Sequence, residues 1–427
     1  MRKAVHLWTV ILVFVAAKPT YAESTEPVKI SEIEISGLKR TKPYVVLREL
    51  PFEKGEMVSV AQIEEGLQRL RNLGLFNTAT HQLHGETLHV TVVERWTLLP
   101  AFKLSSGGGA TQLTVAVFDV NVLGRYLEFG AQYERLGSAN SFVVWHRNPR
   151  LFDKRLLFGA DLWTVDRPRI LYDTNGEIEG GFLLERILLA TSLEKENQKR
   201  TVRFGGRIRG ILDDFSLRFL PDEAIQSQTA TGPLPDRVFV LTAGLTLALG
   251  TINTDRYLQE GTELRLEVDA APPVGFNDIE FVSGTAQFIA LRRFGLFRPN
   301  HSTVALRLLG GGVTTKAMQH LHYVGGLDRV RGFLDSRFRG QVFGVANLEL
   351  RVPSIDSEWV ALQHVAFVDG GVVSRDSVST YDTVASAGLG LRFISPMINR
   401  LVVRVDFAFL TAGSGTRALG FGIQQFF

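Results

Sequence analysis

Tyr126-Leu127-Glu128-Phe129-Gly130-Ala131-Gln132-Tyr133-Glu134 changes polarity at almost every step. Successive side chains of a strand point to opposite faces, so a stretch like this is a strand with one wet and one apolar side. The rhythm recurs along the chain. Arg203, Arg207 and Arg209 alternate with Phe204 and Ile208; Glu263, Arg265, Glu267 and Asp269 with Leu264, Leu266 and Val268; Asn347, Glu349 and Arg351 with Leu348, Leu350 and Val352. About 16 such segments begin near residues 98, 111, 126, 140, 155, 179, 199, 236, 261, 280, 301, 341, 361, 384, 400 and 416. Each is close to the roughly 9–11 residues a tilted strand needs to cross a bilayer. Short connections such as Asn148-Pro149-Arg150, Pro353-Ser354 and Ser395-Pro396 contrast with long ones at 166–178, 214–235 and 314–340. An even strand number with tight turns on one rim and long loops on the other is the pattern of a transmembrane β-barrel.

Alternation alone does not say which face points outward, because a soluble sandwich shows the same pattern with its apolar side inward. Three features favour the membrane. The strand run from 98 to 427 is too long for one sandwich of roughly 100 residues. Its polar face carries charges of both signs together with glycine, which suits a crowded, hydrated interior. The chain also begins like an exported precursor. Met1-Arg2-Lys3 is basic, Leu7 to Ala17 is apolar, and Thr20-Tyr21-Ala22 offers small residues before Glu23. That is the layout of a secretory signal peptide over residues 1–22, and its apolar run is too short to span a bilayer as a helix.

Processing would change the charge. Three of the 47 basic residues (Arg2, Lys3, Lys18) lie in 1–22, which leaves 44 Lys+Arg against 44 Asp+Glu. The basic excess therefore gives no sign of a nucleic-acid partner. There is no cysteine, which excludes a disulfide framework and a thiolate metal site.

Residues 27–95 read differently. Val28 to Ile35 is a short strand broken by Gly37. Thr41 and Pro43 open a helix that reaches Leu50. Ser59 starts a second helix with Ile63, Leu67 and Leu70 at helical spacing and Gly74 at its end. Two strands follow, Leu75 to Leu83 and Thr87 to Val93, about the turn at Gly85. The expected order is βααββ, a unit able to bury one modest core.

Ile33-Glu34-Ile35-Ser36-Gly37, Gly55, Leu70-Arg71-Asn72-Leu73-Gly74-Leu75-Phe76 and Val92-Val93-Glu94 make this unit resemble a POTRA domain. Further on, Val330-Arg331-Gly332-Phe333 resembles the (V/I)RG(F/Y) loop motif of the BamA/TamA superfamily of outer-membrane assembly and translocation proteins. Asn253-Thr254-Asp255-Arg256 with Gly261 resembles that family's turn before the ninth barrel strand. Asn347, Glu349, Arg351 and Pro353 resemble its twelfth strand, Phe367-Val368-Asp369-Gly370-Gly371 its thirteenth and Gly388-Leu389-Gly390-Leu391-Arg392 its fourteenth. Phe427 stands last, while Gln425 occupies a place where the family commonly has an apolar residue. The resemblance implies three parts: a signal peptide (1–22), a POTRA-like periplasmic domain (27–95) and a 16-stranded antiparallel transmembrane β-barrel (98–427) of the bacterial outer membrane.

Physical chemistry adds to this. Gly332 lets the loop turn tightly, and Arg331 presents a planar fork of donors. Alternation puts Glu349 and Asp369 on the polar face, and the resemblance implies that Arg331 meets an acidic residue there and pins the loop in the lumen. Gly107, Gly108 and Gly109 near the end of the first strand, and Gly420 and Gly422 in the last, would weaken a seam where the two meet, or would only relieve crowding.

No G-x-S-x-G elbow or H-E-x-x-H helix is present, so no enzyme, cofactor or metal site is expected. His81, His84 and His89 lie in the small domain without the spacing cues of a metal site. The expected partners are unfolded outer-membrane or secreted clients, the lipid bilayer, and periplasmic chaperones or accessory subunits. General assembly factors of the family usually carry several POTRA domains and two-partner secretion translocators two. The single unit read here points to a specialised or accessory insertase, with a two-partner-type translocator or a passive channel as alternatives.

Overall fold

The computed structural model describes residues 26–107, 110–172, 177–226, 234–296, 301–325, 329–333, 338–374, 381–410 and 418–423. The expected signal peptide and Gly108-Gly109 lie outside the described residues.

The N-terminal domain runs β1 (Val28–Lys29), β2 (Glu32–Ser36), α1 (Pro43–Leu47), β3 (Met57–Val58), α2 (Val60–Asn72), β4 (Phe76–His84) and β5 (Thr87–Glu94). β5 is central, with β2 parallel on one side and β4 antiparallel on the other, while β1 and β3 form a separate two-stranded pair. The strand read over 28–35 is therefore two strands, because the Ile30 amide leaves the line to donate to the Glu56 carbonyl (3.0 Å). α1 stops at Leu47 rather than Leu50. Leu50 precedes Pro51, a position where the helical conformation is disfavoured. α2 starts with a capping box: Ser59 Oγ accepts from the Gln62 amide (3.3 Å), and Gln62 Oε1 accepts from the Ser59 amide (2.9 Å). The helices close over Val45, Val46, Ile63, Leu67, Leu70, Leu88 and Val90. This core runs on without a break into Leu99, Phe118 and Val120 of the strands that follow.

Those strands are β6 (Leu98–Gly107), β7 (Ala110–Asp119), β8 (Glu128–Leu136), β9 (Ala139–Asn148), β10 (Leu156–Tyr172), β11 (Ile178–Glu196) and β12 (Val202–Ser216). After the short α3 (Asp222–Gln226) come β13 (Val238–Asp255), β14 (Leu258–Ala271), β15 (Phe281–Phe294) and β16 (Ser302–Val313). The small strands β17 (His322–Val324) and β18 (Phe338–Gly340) precede β19 (Val342–Asp356), β20 (Ala361–Ser374), β21 (Tyr381–Ile394), β22 (Val402–Leu410) and β23 (Ala418–Ile423). One 16-stranded sheet runs from β6 to β23, stepping from β16 directly to β19, and every ladder is antiparallel. β6 and β23 lie side by side, so the sheet curls into a barrel. Sixteen strands were expected, and each starts within three residues of its expected position.

The polarity of the wall is fixed by exposure. Leu245 is 72% exposed and Ile187, Leu189, Phe204 and Ile208 are more than half or half exposed, whereas Asp213, Glu349 and Asp369 are fully buried. The apolar side therefore faces outward and the charges face the lumen. Among the described residues no helix is long and apolar enough to cross a membrane.

Residues 166–178 depart from the expected loop. Most of them continue β10 and β11, whose ladder runs from Leu156↔Lys195 to Tyr172↔Ile178. β9 pairs with β10 only as far as Thr164, so Pro168 sits where one edge of the strand is open. An edge position is where a sheet tolerates proline.

Candidate functional site

The segment between β16 and β19 folds back inside the barrel. β17 and β18 pair as a small hairpin. Val330 packs with Val324, Phe343, Val345, Val373 and Val384, and Phe333 meets Phe338 edge-on at 5.8 Å. Gly332 takes φ +96°, and a Cβ there would lie 2.6 Å from Leu410 Cδ2. Only glycine fits both the left-handed backbone and the gap.

Burial of the loop aims Arg331 at the wall. Its Nε and Nη2 donate to the two oxygens of Asp369 (2.7 and 2.8 Å), and Nη1 donates to Glu349 (2.5 Å). The guanidinium also lies 3.5 Å from the centroid of the Phe367 ring. The structure thus brings together Arg331, Glu349 and Asp369. It adds groups that the sequence reading did not assign. Arg351 bonds Glu349 (2.8 Å), Arg392 bonds Asp406 (2.7 Å), and Asn347 bonds both Asp369 and the Arg329 carbonyl (each 2.8 Å). All are buried. Charges held out of water repay their desolvation only when geometry and hydrogen bonding are good; Arg331 meets this with three side-chain donors on two acids, whereas Arg392 Nε is buried without a partner. The alternating Asn347-Glu349-Arg351 was visible in the sequence, but alternation shows only that these residues face the lumen, not whom they meet.

Nearby, His320 and His322 sit in the folded-back segment. Burial first, then Arg186 and Arg209, holds His320 down to about 3; burial and Arg329 hold His322 down to about 4. Both imidazoles are neutral at physiological pH.

A second arrangement joins the N-terminal domain to the near rim, where the short turns are. Glu49, fully buried after α1, accepts from Arg150 Nε and Nη2 (2.9 and 3.2 Å) and pairs with Arg200. The Lys42 amide donates to the Gly124 carbonyl (2.9 Å), and a Cβ on Gly124 would meet the Arg40 carbonyl at 2.1 Å. α2 reaches the β13–β14 turn through Gln68 and the Thr254 carbonyl (3.1 Å), and Asn399 Nδ2 donates to the Gly74 carbonyl (2.6 Å). Burial brings Arg95, in the linker, down to about 10; it donates to the Arg256 carbonyl (2.5 Å). The domain is seated across the rim turn by turn. Nothing in the sequence announced the role of Glu49, which looks like an ordinary helix-end carboxylate.

The five glycines proposed for the seam divide. Gly107 pairs with Ala110, and Gly420 and Gly422 pair with Asp406 and Arg404, all on the side away from the seam. Gly108 and Gly109 are outside the described residues. Of the three histidines of the N-terminal domain, His84 and His89 meet edge-on at 4.9 Å, while His81 pairs with Glu64 and His89 with Glu34. Among the described residues no group of side chains is placed to hold a metal ion.

Comparison with known proteins matches residues 28–95 to the POTRA family (surface antigen variable number repeat) and residues 236–427 to the Omp85 superfamily domain. The chain belongs to the BamA/TamA-type superfamily. The outer membrane protein assembly factor BamA of Nitratidesulfovibrio vulgaris is 24% identical over 410 residues, covering 87% of this chain and 48% of that protein. BamA of Neorickettsia risticii is 26% identical over 152 residues, 34% of this chain and 20% of that protein. The chain thus spans about half or less of these curated relatives. Among solved structures, CdiB from Escherichia coli superposes with a TM-score of 0.66 at 13% identity, over 93% of this chain and 76% of that one. BamA from Haemophilus ducreyi lacking POTRA domains 1–3 superposes with a TM-score of 0.55 at 14% identity, over 92% and 83%. These likenesses establish the barrel-plus-POTRA fold of this superfamily member.

Proposed function

We propose that this chain resides in the bacterial outer membrane with its POTRA domain in the periplasm, and there inserts or translocates unfolded client proteins. The observation that carries this reading is the POTRA domain seated at the mouth of a barrel whose first and last strands, β6 and β23, adjoin without a ladder among the described residues. β2 pairs with β5 on one side, and its five residues are alternately exposed. An extended client can add to such an edge through main-chain hydrogen bonds, which make no demand on its sequence. At the other end of the path, β23 pairs with β22 through the described residues Ala418–Ile423. Among the described residues no ladder joins β23 to β6. A nascent strand that pairs there satisfies its backbone in lipid, where each unpaired group costs several kcal/mol, so insertion runs downhill without a nucleotide or cofactor. The Arg331 network holds the loop so that the wall stays rigid while the seam gives.

The relatives' names support assembly and the CdiB likeness keeps secretion through the lumen as the second reading. A permanently open channel is disfavoured by the docked POTRA domain at one mouth and the folded-back loop in the lumen. The test is a proteoliposome assay. The full chain should raise the rate at which a urea-unfolded outer-membrane barrel becomes heat-resistant. A rate equal to that of empty liposomes, together with a large steady single-channel conductance, would replace insertion with a passive pore. Depletion followed by proteomics of the outer membrane would then name the clients.

A further inference from the structure

Beyond the insertion role, the lumen contains a second built feature near the far rim, under the folded-back loop. A cavity of about 510 Å³ opens between the upper ends of β10, β11, β12, β15 and β16 and the segment 319–323. This is the size range of small-molecule sites. Five arginines line it and, among the described residues, no carboxylate does. The arginines are fixed in place. Arg186 is held bidentately by Asp213 (2.6 and 2.7 Å), and Arg209 makes one contact with Asp269 (2.7 Å), which also holds Arg207; neither acid lines the cavity. Arg167 bonds Glu134 (2.9 Å), Arg169 lies over the Tyr323 ring at 4.2 Å, and Arg329 lies over Phe343 at 4.4 Å. A second observation is independent of this charge. Gln319 is only 8% exposed and lines the cavity, yet its Oε1 has no hydrogen-bond partner; the Nε2 atoms of His320 and His322 are likewise buried and unpartnered. A buried polar atom left without a partner carries a desolvation penalty, which a bound ligand recovers. The amide can turn either end to that ligand.

We propose that this cavity is an anion site for a phosphoryl group. The guanidinium fork matches phosphate oxygens in twos, and preformed, carboxylate-backed arginines lose little freedom on binding. The same chemistry is offered by free phosphate and by the phosphorylated headgroup of a lipid at the far leaflet.

Calorimetric titration of the full chain in neutral detergent separates these sources. Inorganic phosphate should bind saturably, and sodium chloride at matched ionic strength should not. Arg169→Gln and Gln319→Leu should each weaken binding by about tenfold, a loss of one charge-assisted contact. Arg135→Gln, on an exposed strand end, should change nothing. Tighter binding of glycerol 3-phosphate than of inorganic phosphate assigns the site to a lipid headgroup; equal binding assigns it to the free ion. Arg209→Gln risks the fold through Asp269, so the Gln319 variant carries the test if it fails. The absence of saturable heat, or affinities untouched by both Arg169→Gln and Gln319→Leu, overturns the site.

Discussion

At the residue scale the lumen network makes unequal demands on its two acids. Glu349 faces Arg331, Arg351 and Arg392, whereas Asp369 faces Arg331 and Asn347. Glu349→Gln therefore leaves three buried cations short of a counter-charge, and Asp369→Asn leaves Arg331 still paired with Glu349. Breaking a buried pair costs about 3–5 kcal/mol, so Glu349→Gln should lie at or above that range and Asp369→Asn below it. Heat-modifiability of the detergent-solubilised barrel, read on gels, orders the two; the reverse order would mean that Asp369, not Glu349, anchors the loop. Gly332→Val should also lower folding, because φ +96° and the 2.6 Å approach to Leu410 both reject a branched side chain. Strain of this kind costs about 1–3 kcal/mol. Arg331→Ala is expected to resemble Glu349→Gln. The sequence disclosed the arginine through its loop motif and the two acids through alternation. The pairing of Arg392 with Asp406 stayed hidden, because no local pattern says which side chains meet in the lumen.

At the element scale, strand starts were legible because a wall with lipid on one side and charge on the other imposes period two on every strand. The pattern was lost where that contrast ends. β10 and β11 continue beyond it as a ladder that includes Pro168, and the sequence there reads as a loop. The folded-back hairpin β17–β18 was equally silent, since its three-residue strands are held by lumen packing rather than by periodicity. That packing is pH-sensitive. His320 and His322 gain protons near pH 6.5 in the unfolded chain, but only near 3 and 4 when buried. Between those values the unfolded state holds more protons, so docking of the hairpin is strongest above about pH 6.5 and weakens as pH falls. Limited proteolysis of residues 314–340 should quicken between pH 6.5 and 5 in the native chain and lose that dependence in the double variant His320→Gln/His322→Gln. A flat profile in the native chain would remove the histidines from the account.

At the scale of the whole molecule, the POTRA domain and barrel act as one body. Glu49 bridges 101 residues to Arg150 and 151 to Arg200, contacts that no reading of α1 alone could foresee. Glu49→Gln removes the nearer of the two carboxylates, Glu49 and Glu196, that the buried Arg150 and Arg200 share. The barrel should remain heat-modifiable while the linker around Arg95 becomes protease-sensitive; an unchanged digestion pattern would mean that the continuous apolar core from Val90 to Phe118, not the ion cluster, seats the domain. In the proposed function a client strand enters the wall at the seam, where β6 and β23 lie side by side. The chain has no cysteine, so a pair introduced at facing positions of Leu98–Gly107 and Ala418–Ile423 can be sealed and reopened at will. The account predicts that the oxidised pair abolishes client insertion into proteoliposomes and that reduction restores it. Full insertion with the seam covalently closed would contradict it.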